Sequence, residues 1–171
     1  MVIKRVLVIG AGQMGSGIAQ VMAQGGLEVT IRDIKTEYVQ RGIAGIEKNL
    51  AKSVEKGKMS VDEKEAIMRR ITGVVDLNAD NCNVDLVIEA AVENLAIKKD
   101  IFETVDALCP AHTILASNTS SLPITALASL TKRPDRFIGM HFFNPAPIMK
   151  LVEVTSGLAT NEATYETVKA L

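Results

Sequence analysis

Apolar residues fall along this chain in two alternating rhythms. "KRVLVIG" (4–10) is a near-continuous apolar run ending in glycine, as expected of a strand buried on both faces of a parallel sheet. Met14, Ile18, Val21 and Met22 then recur at helical spacing until Gly25-Gly26 closes the segment. "LEVTIRD" (27–33) alternates as a second strand, and Val39, Ile43, Ile46, Leu50 and Val54 line one face of a long helix that Gly57 ends. Ser60 and Glu63 form a capping-box pattern opening a short further helix. "ITGVV" (71–75), "VDLVIEA" (84–90) and "TILAS" (113–117) read as strands. Between the last two, a helix after Asn94 carries Ile97, Ile101, Val105 and Leu108 and stops at Pro110. Pro123, at a first-turn position, starts a short helix, and "RFIGMHF" and "LVEVT" are the last two strands. Strands and helices alternating at this length predict the α/β class, with a doubly wound, mainly parallel sheet carrying helices on both faces.

Composition narrows the function classes. With 171 residues there is room for one domain with a full core. Net charge is −1, with 23% charged and 47% hydrophobic residues, which argues against a nucleic-acid partner held by bulk positive charge. No apolar run approaches the ~20 residues of a membrane span. Cys82 and Cys109 are far apart in sequence and fit neither metal-ligand nor CxxC spacing, so no metal and a reducing, cytoplasmic setting are expected. The "NTS" at Asn118 matches a glycosylation sequon, but no secretion signal accompanies it. "TNEATYETVKAL" begins as a helix with Asn161 as N-cap and reaches Leu171 without a stop signal, as if the chain were cut there.

"GAGQMGSG" places Gly10, Gly12 and Gly15 as G-x-G-x-x-G between a predicted strand and a predicted helix, the context the motif requires. Gly10 allows the tight turn, Gly12 the approach of a pyrophosphate, and Gly15 close helix–strand packing. The N–H groups at the start of that helix, around Gln13 and Met14, would receive the anion. Asp33 ends the second strand, where a carboxylate accepts both adenosine ribose hydroxyls and repels a 2′-phosphate. Arg32 could partner such a phosphate, but NAD is expected over NADP. The sheet is therefore expected to be of Rossmann type.

Ligands of such sheets lie beyond the carboxyl ends of the strands. Four polar clusters fall there: Glu89 to Glu93, "SNTSS" (117–121), "HFFNP" (141–145) and Glu153. Alone, His141 reads as a core histidine and Glu153 as an outward-facing strand residue. Together, beside a dinucleotide, they read as a proton acceptor and the carboxylate that fixes its tautomer. Glu153 also interrupts "LVEVT" where an apolar residue is expected at a buried position.

The stretches "VIGAGQMGSGIAQ", "DLVIEAAVEN", "ASNTSSLPIT" and "GMHFFNPAPIMKLVEV" resemble the NAD-binding domain of the L-3-hydroxyacyl-CoA dehydrogenase family, of the bacterial 3-hydroxybutyryl-CoA dehydrogenase type. The resemblance covers essentially the whole chain. It implies an NAD-dependent oxidoreductase of fatty-acid or butanoate metabolism acting on an acyl-CoA. It further implies His141 as base, Glu153 as its orienting carboxylate, and Ser120 on the substrate oxygen. Asn118, Glu93, Lys98 and Asn144 would then contact the nicotinamide region. Lys52 and Lys56, part of a stripe begun by Lys48, would meet the phosphates of CoA; Glu47 and Glu55 nearby fit a merely solvated face equally well.

Members of that family continue into a helical domain that carries most dimer contacts. It is missing after Leu171, so 1–171 is expected to be the NAD-binding domain of a longer, homo-oligomeric protein. Two alternatives stay open: a dinucleotide-binding module without turnover, and a dehydrogenase of free hydroxy acids.

Overall fold

The computed structural model describes residues 1–171. Its elements in chain order are β1 (Arg5–Ile9), α1 (Gln13–Gln24), β2 (Glu28–Arg32), α2 (Thr36–Glu55), α3 (Val61–Arg69), β3 (Ile71–Val74), β4 (Leu86–Glu89), α4 (Leu95–Leu108), β5 (Ile114–Ser117), α5 (Ile124–Ala128), β6 (Phe137–Phe142), β7 (Val152–Ser156) and α6 (Glu162–Lys169). A 3-10 turn at Pro134–Arg136 leads into β6. One seven-stranded sheet runs β3-β2-β1-β4-β5-β6-β7. The first six strands are parallel, and β7 returns antiparallel along the β6 edge. Strand order reverses between β2 and β4 around β1, which opens a crevice at their carboxyl ends.

The pleat sorts β1 onto both sheet faces. Val6 and Val8 join the core formed with Ile18 of α1, Ile46 and Leu50 of α2, and Ile67 of α3. Leu7 and Ile9 join the opposite core, with Ile101, Phe102 and Val105 of α4 and Leu127 of α5. Each strand face is therefore covered, which is why the central strands carry no polar alternation. The Phe102 and Phe137 rings meet edge-on at 4.7 Å in the second core. No helix is long and apolar enough to cross a membrane.

Helix ends follow the sequence signals. Ser60 and Glu63 make the reciprocal capping box of α3, while Asn94 caps α4 and Asn161 caps α6. Gly57, with φ +68°, turns the chain out of α2.

Two expectations need correction. Pro123 is the N-cap of α5 and not a first-turn residue, because its extended ψ of 124° keeps it outside the helix. β7 is an exposed edge strand, so Glu153 does not occupy a buried position; its side chain is 57% exposed. Cys82 and Cys109, distant in sequence, are buried in one core cluster as free thiols. Contact with Cys82, and then burial, push the Cys109 thiol well above its ordinary range.

At the amino end of the sheet, Asp85 fastens the start of β1. Its Oδ2 accepts from the backbone N–H groups of Lys4 (2.8 Å) and Arg5 (2.9 Å), and His112 stands 3.2 Å from Oδ1. Burial pushes this carboxyl up, but the Arg5 and Lys4 N–H groups, His112 and the Arg5 charge together hold it below its ordinary value. A carboxyl depressed in the folded state stabilises the fold above its unfolded pKa, and that contribution is lost as pH falls through the folded value. Asp85→Asn should therefore cost about 1–3 kcal/mol at about pH 7. In thermal melts, the gap between wild type and variant should close as pH drops below about 4; a gap independent of pH would contradict the assignment.

Candidate active site

The glycine turn is built by close approach. Gly10 has φ +107°, and a Cβ there would collide with the carbonyl oxygen of Ala90, just past β4. A Cβ on Gly15 would strike the Gly10 carbonyl, so α1 can begin hard against the end of β1 only as glycine. Gly12 differs: nothing lies within 4 Å of where its Cβ would be. It is the N-cap of α1 and offers no side-chain cap, and no acidic residue occupies the first turn. Uncapped N–H groups thus face open space beside the positive end of the helix dipole, a cradle that fits a pyrophosphate.

Asp33 stands just past β2 and braces this turn. Its Oδ2 accepts from the Ala11 N–H at 2.8 Å and its Oδ1 from the Ile34 N–H at 2.7 Å. Arg32, the possible partner for a 2′-phosphate, instead donates from Nε to the Val75 carbonyl at 2.8 Å. The residues present fit NAD.

Strand register creates the floor of the site. Ile9, Glu89, Ser117 and Gly139 are cross-strand partners along one row through β1, β4, β5 and β6. His141 lies two residues beyond Gly139 on the same face, at the rim. Glu89 and Ser117 are fully buried, and so is Lys98, which rises from the first turns of α4. Lys98 Nζ donates to Glu89 Oε1 at 2.6 Å, and the Ser117 hydroxyl donates to Oε2 at 2.6 Å. The Ala91 N–H adds a third bond to Glu89, at 2.7 Å. Taking two ions out of water costs several kcal/mol each, so the pair holds only because these bonds fill the carboxylate's lone pairs.

Glu93 closes the network from the exposed side. Its Oε1 lies 3.3 Å from Lys98 Nζ, while its Oε2 accepts from the hydroxyls of Thr119 at 2.9 Å and Ser121 at 3.4 Å. These bonds hold the segment on both sides of Ser120. Asn118 Oδ1 accepts from the Phe142 N–H at 2.8 Å, tying the end of β5 to β6 beside His141 and leaving its amide N–H groups free.

His141 and Glu153 are register partners of the antiparallel β6–β7 pair. Their side chains meet, with Nδ1 2.9 Å from Oε2. The Phe143 ring lies 4.7 Å from the imidazole, and His141 is only 24% exposed. A donor on Nδ1 leaves Nε2 as the free acceptor.

A cavity of about 310 Å³ gathers these groups: Met14, Glu93, Lys98, Asn118, Ser120, His141 and Asn144 all line it. Gln13 stays outside, at the first position of α1. Lys52 and Lys56 are exposed at the far end of α2, also outside the cavity. Glu47 pairs with Lys64 of α3 at 3.3 Å, so it does not neutralise the lysine stripe. Sequence reasoning left Glu89 and Ser117 unassigned; a carboxylate ending an otherwise apolar strand was the available signal.

Comparison with known proteins identifies the family. Residues 5–171 match the family described as 3-hydroxyacyl-CoA dehydrogenase, NAD binding domain. A probable 3-hydroxybutyryl-CoA dehydrogenase of Bacillus subtilis is 52% identical over all of this chain, which spans 59% of that protein. A 3-hydroxyadipyl-CoA dehydrogenase of Escherichia coli is 48% identical over 92% of the chain and 33% of its own length. The crystal structure of (S)-3-hydroxybutyryl-CoA dehydrogenase from Ralstonia eutropha superposes with a TM-score of 0.94 at 44% identity, over 98% of this chain and 59% of that one. The chain therefore belongs to the NAD-binding domain family of the 3-hydroxyacyl-CoA dehydrogenases.

Proposed function

We propose that this chain is the cofactor-binding part of an enzyme interconverting L-3-hydroxyacyl-CoA and 3-ketoacyl-CoA, with 3-hydroxybutyryl-CoA and acetoacetyl-CoA as the expected pair. The observation that carries the reading is the 2.9 Å His141–Glu153 contact on the rim of a cavity that Met14 of the phosphate turn also lines. Bound NAD supplies the two-electron acceptor for the substrate carbon.

The chain's own groups manage the proton and the pose. Neutral His141 takes the hydroxyl proton on Nε2 as the carbinol is oxidised and returns it in the reverse direction. Glu153 fixes the tautomer and stabilises the imidazolium so formed. Ser120 donates to the substrate oxygen. Asn118 uses its free amide N–H groups on the nicotinamide region, with Asn144, Glu93 and Lys98 around it. Gly10, Gly12, Gln13, Met14 and Gly15 hold the pyrophosphate, and Asp33 the adenosine ribose. Lys52 and Lys56, neither of which is held in an ion pair, meet CoA phosphates. The full-length protein is proposed to be a cytoplasmic homo-oligomer.

His141→Gln should lower NADH oxidation with acetoacetyl-CoA by about 100-fold or more while leaving the Kd for NADH within about twofold. Loss of both would assign the histidine a structural role. Wild-type NADH binding without any oxidation would favour the module that binds and does not turn over. Lys52→Ala with Lys56→Ala should raise KM for acetoacetyl-CoA by about five- to tenfold with kcat little changed. An unchanged KM, with free acetoacetate accepted equally well, would favour a dehydrogenase of free hydroxy acids.

A further inference from the structure

The cavity floor carries a charge imbalance that proton transfer at His141 does not use. One ammonium, Lys98, serves two carboxylates, Glu89 at 2.6 Å and Glu93 at 3.3 Å. Glu89 is fully buried, and its other bonds come from neutral donors, the Ser117 hydroxyl and the Ala91 N–H. A buried carboxylate without a counter-charge is far less stable than a half-exposed one, so Glu89 claims the lysine's charge. Glu93, with 46% of its side chain exposed, retains its own. Thr119 and Ser121 hold that carboxylate in place with hydroxyl groups, which orient the charge without cancelling it. The other ionisable pair at the rim, His141 with Glu153, adds a second negative charge while the imidazole is neutral.

A nicotinamide ring is cationic when oxidised and neutral when reduced. Resting on the reading of this cavity as the nicotinamide site, we propose that Glu93 biases it towards the oxidised cofactor, with Glu89 as the positioning residue that keeps Lys98 from neutralising it. Glu89 acts from beneath the floor and touches no ligand. It consumes the only cation among the cavity-lining residues and so leaves the lining anionic. A half-exposed carboxylate bordering a cavity of about 310 Å³ should discriminate the two ring charges by about three- to tenfold in affinity.

The test is separate calorimetric titration of the 171-residue chain with NAD+ and with NADH, for wild type, Glu93→Gln and Glu93→Asp. Glu93→Gln should weaken NAD+ relative to NADH by about three- to tenfold. Glu93→Asp keeps the charge but shortens the reach to Thr119, and should leave the ratio within about twofold. A purely structural clamp would move both affinities together. Parallel shifts in Glu93→Gln, or an equal ratio change in Glu93→Asp, would overturn the proposal. If Glu93→Gln does not fold, the wild-type ratio measured between about 0.05 M and 1 M salt decides instead. It must shift towards the reduced form, and a salt-independent ratio overturns the proposal. Failure of the wild type to bind either form would overturn the dinucleotide reading itself, and this inference with it.

Discussion

A lysine with no exposed surface ties three elements together at the carboxyl end of the sheet. Lys98 joins α4 to Glu89 on β4, and Glu89 joins Ser117 on β5. The pair cannot be loosened cheaply, because either ion left alone in that core would be uncompensated. The segments leaving β4 and β5 therefore start from fixed points. Glu93 and Thr119 meet above them, and Ser120 is presented to the cavity between two anchored neighbours.

A buried ion pair of this kind is a weak way to stabilise a fold. Apolar residues of similar volume would serve as well or better, since the Coulomb attraction does little more than offset lost hydration. Its presence at the strand ends, and nowhere in the two apolar cores, matches a role in placing charge. The same economy governs the glycine turn. Gly10 and Gly15 stand where any side chain would strike backbone, while a side chain at Gly12 would stand in open space beside the uncapped start of α1. Packing fixes the first two and leaves the third unconstrained.

The edge pair obeys a different logic. β7 is half exposed, and Glu153 is better hydrated than any other carboxylate that meets the site. Antiparallel register brings it opposite His141, and the Phe143 ring and the cavity wall limit the imidazole's freedom. Exposure keeps the carboxylate hydrated, which fits the role proposed for Glu153 of holding one tautomer of the imidazole.

Much of this was legible in the chain itself. Two hydrophobic periods, glycine stops and capping residues specify the elements, because they report local backbone geometry and one-sided burial. Gly10, Gly12, Gly15 and Asp33 could be read as a dinucleotide turn because the motif is local and its physics is backbone physics. Their places beyond the strand ends pointed to His141 and Glu153, and the resemblance added Ser120. What the sequence left open was every relation set by strand neighbours. Register alone puts Glu89, Ser117 and Gly139 in one row, and pleat parity puts His141 on the α4–α5 face. Nothing in the chain pairs Lys98 with Glu89 until α4 is docked over β4, and Glu153 looked buried until β7 proved to be the edge. Local pattern determines which way a backbone turns; which charges share a low-dielectric floor depends on contacts between residues distant in the chain, and only the assembled sheet supplies those.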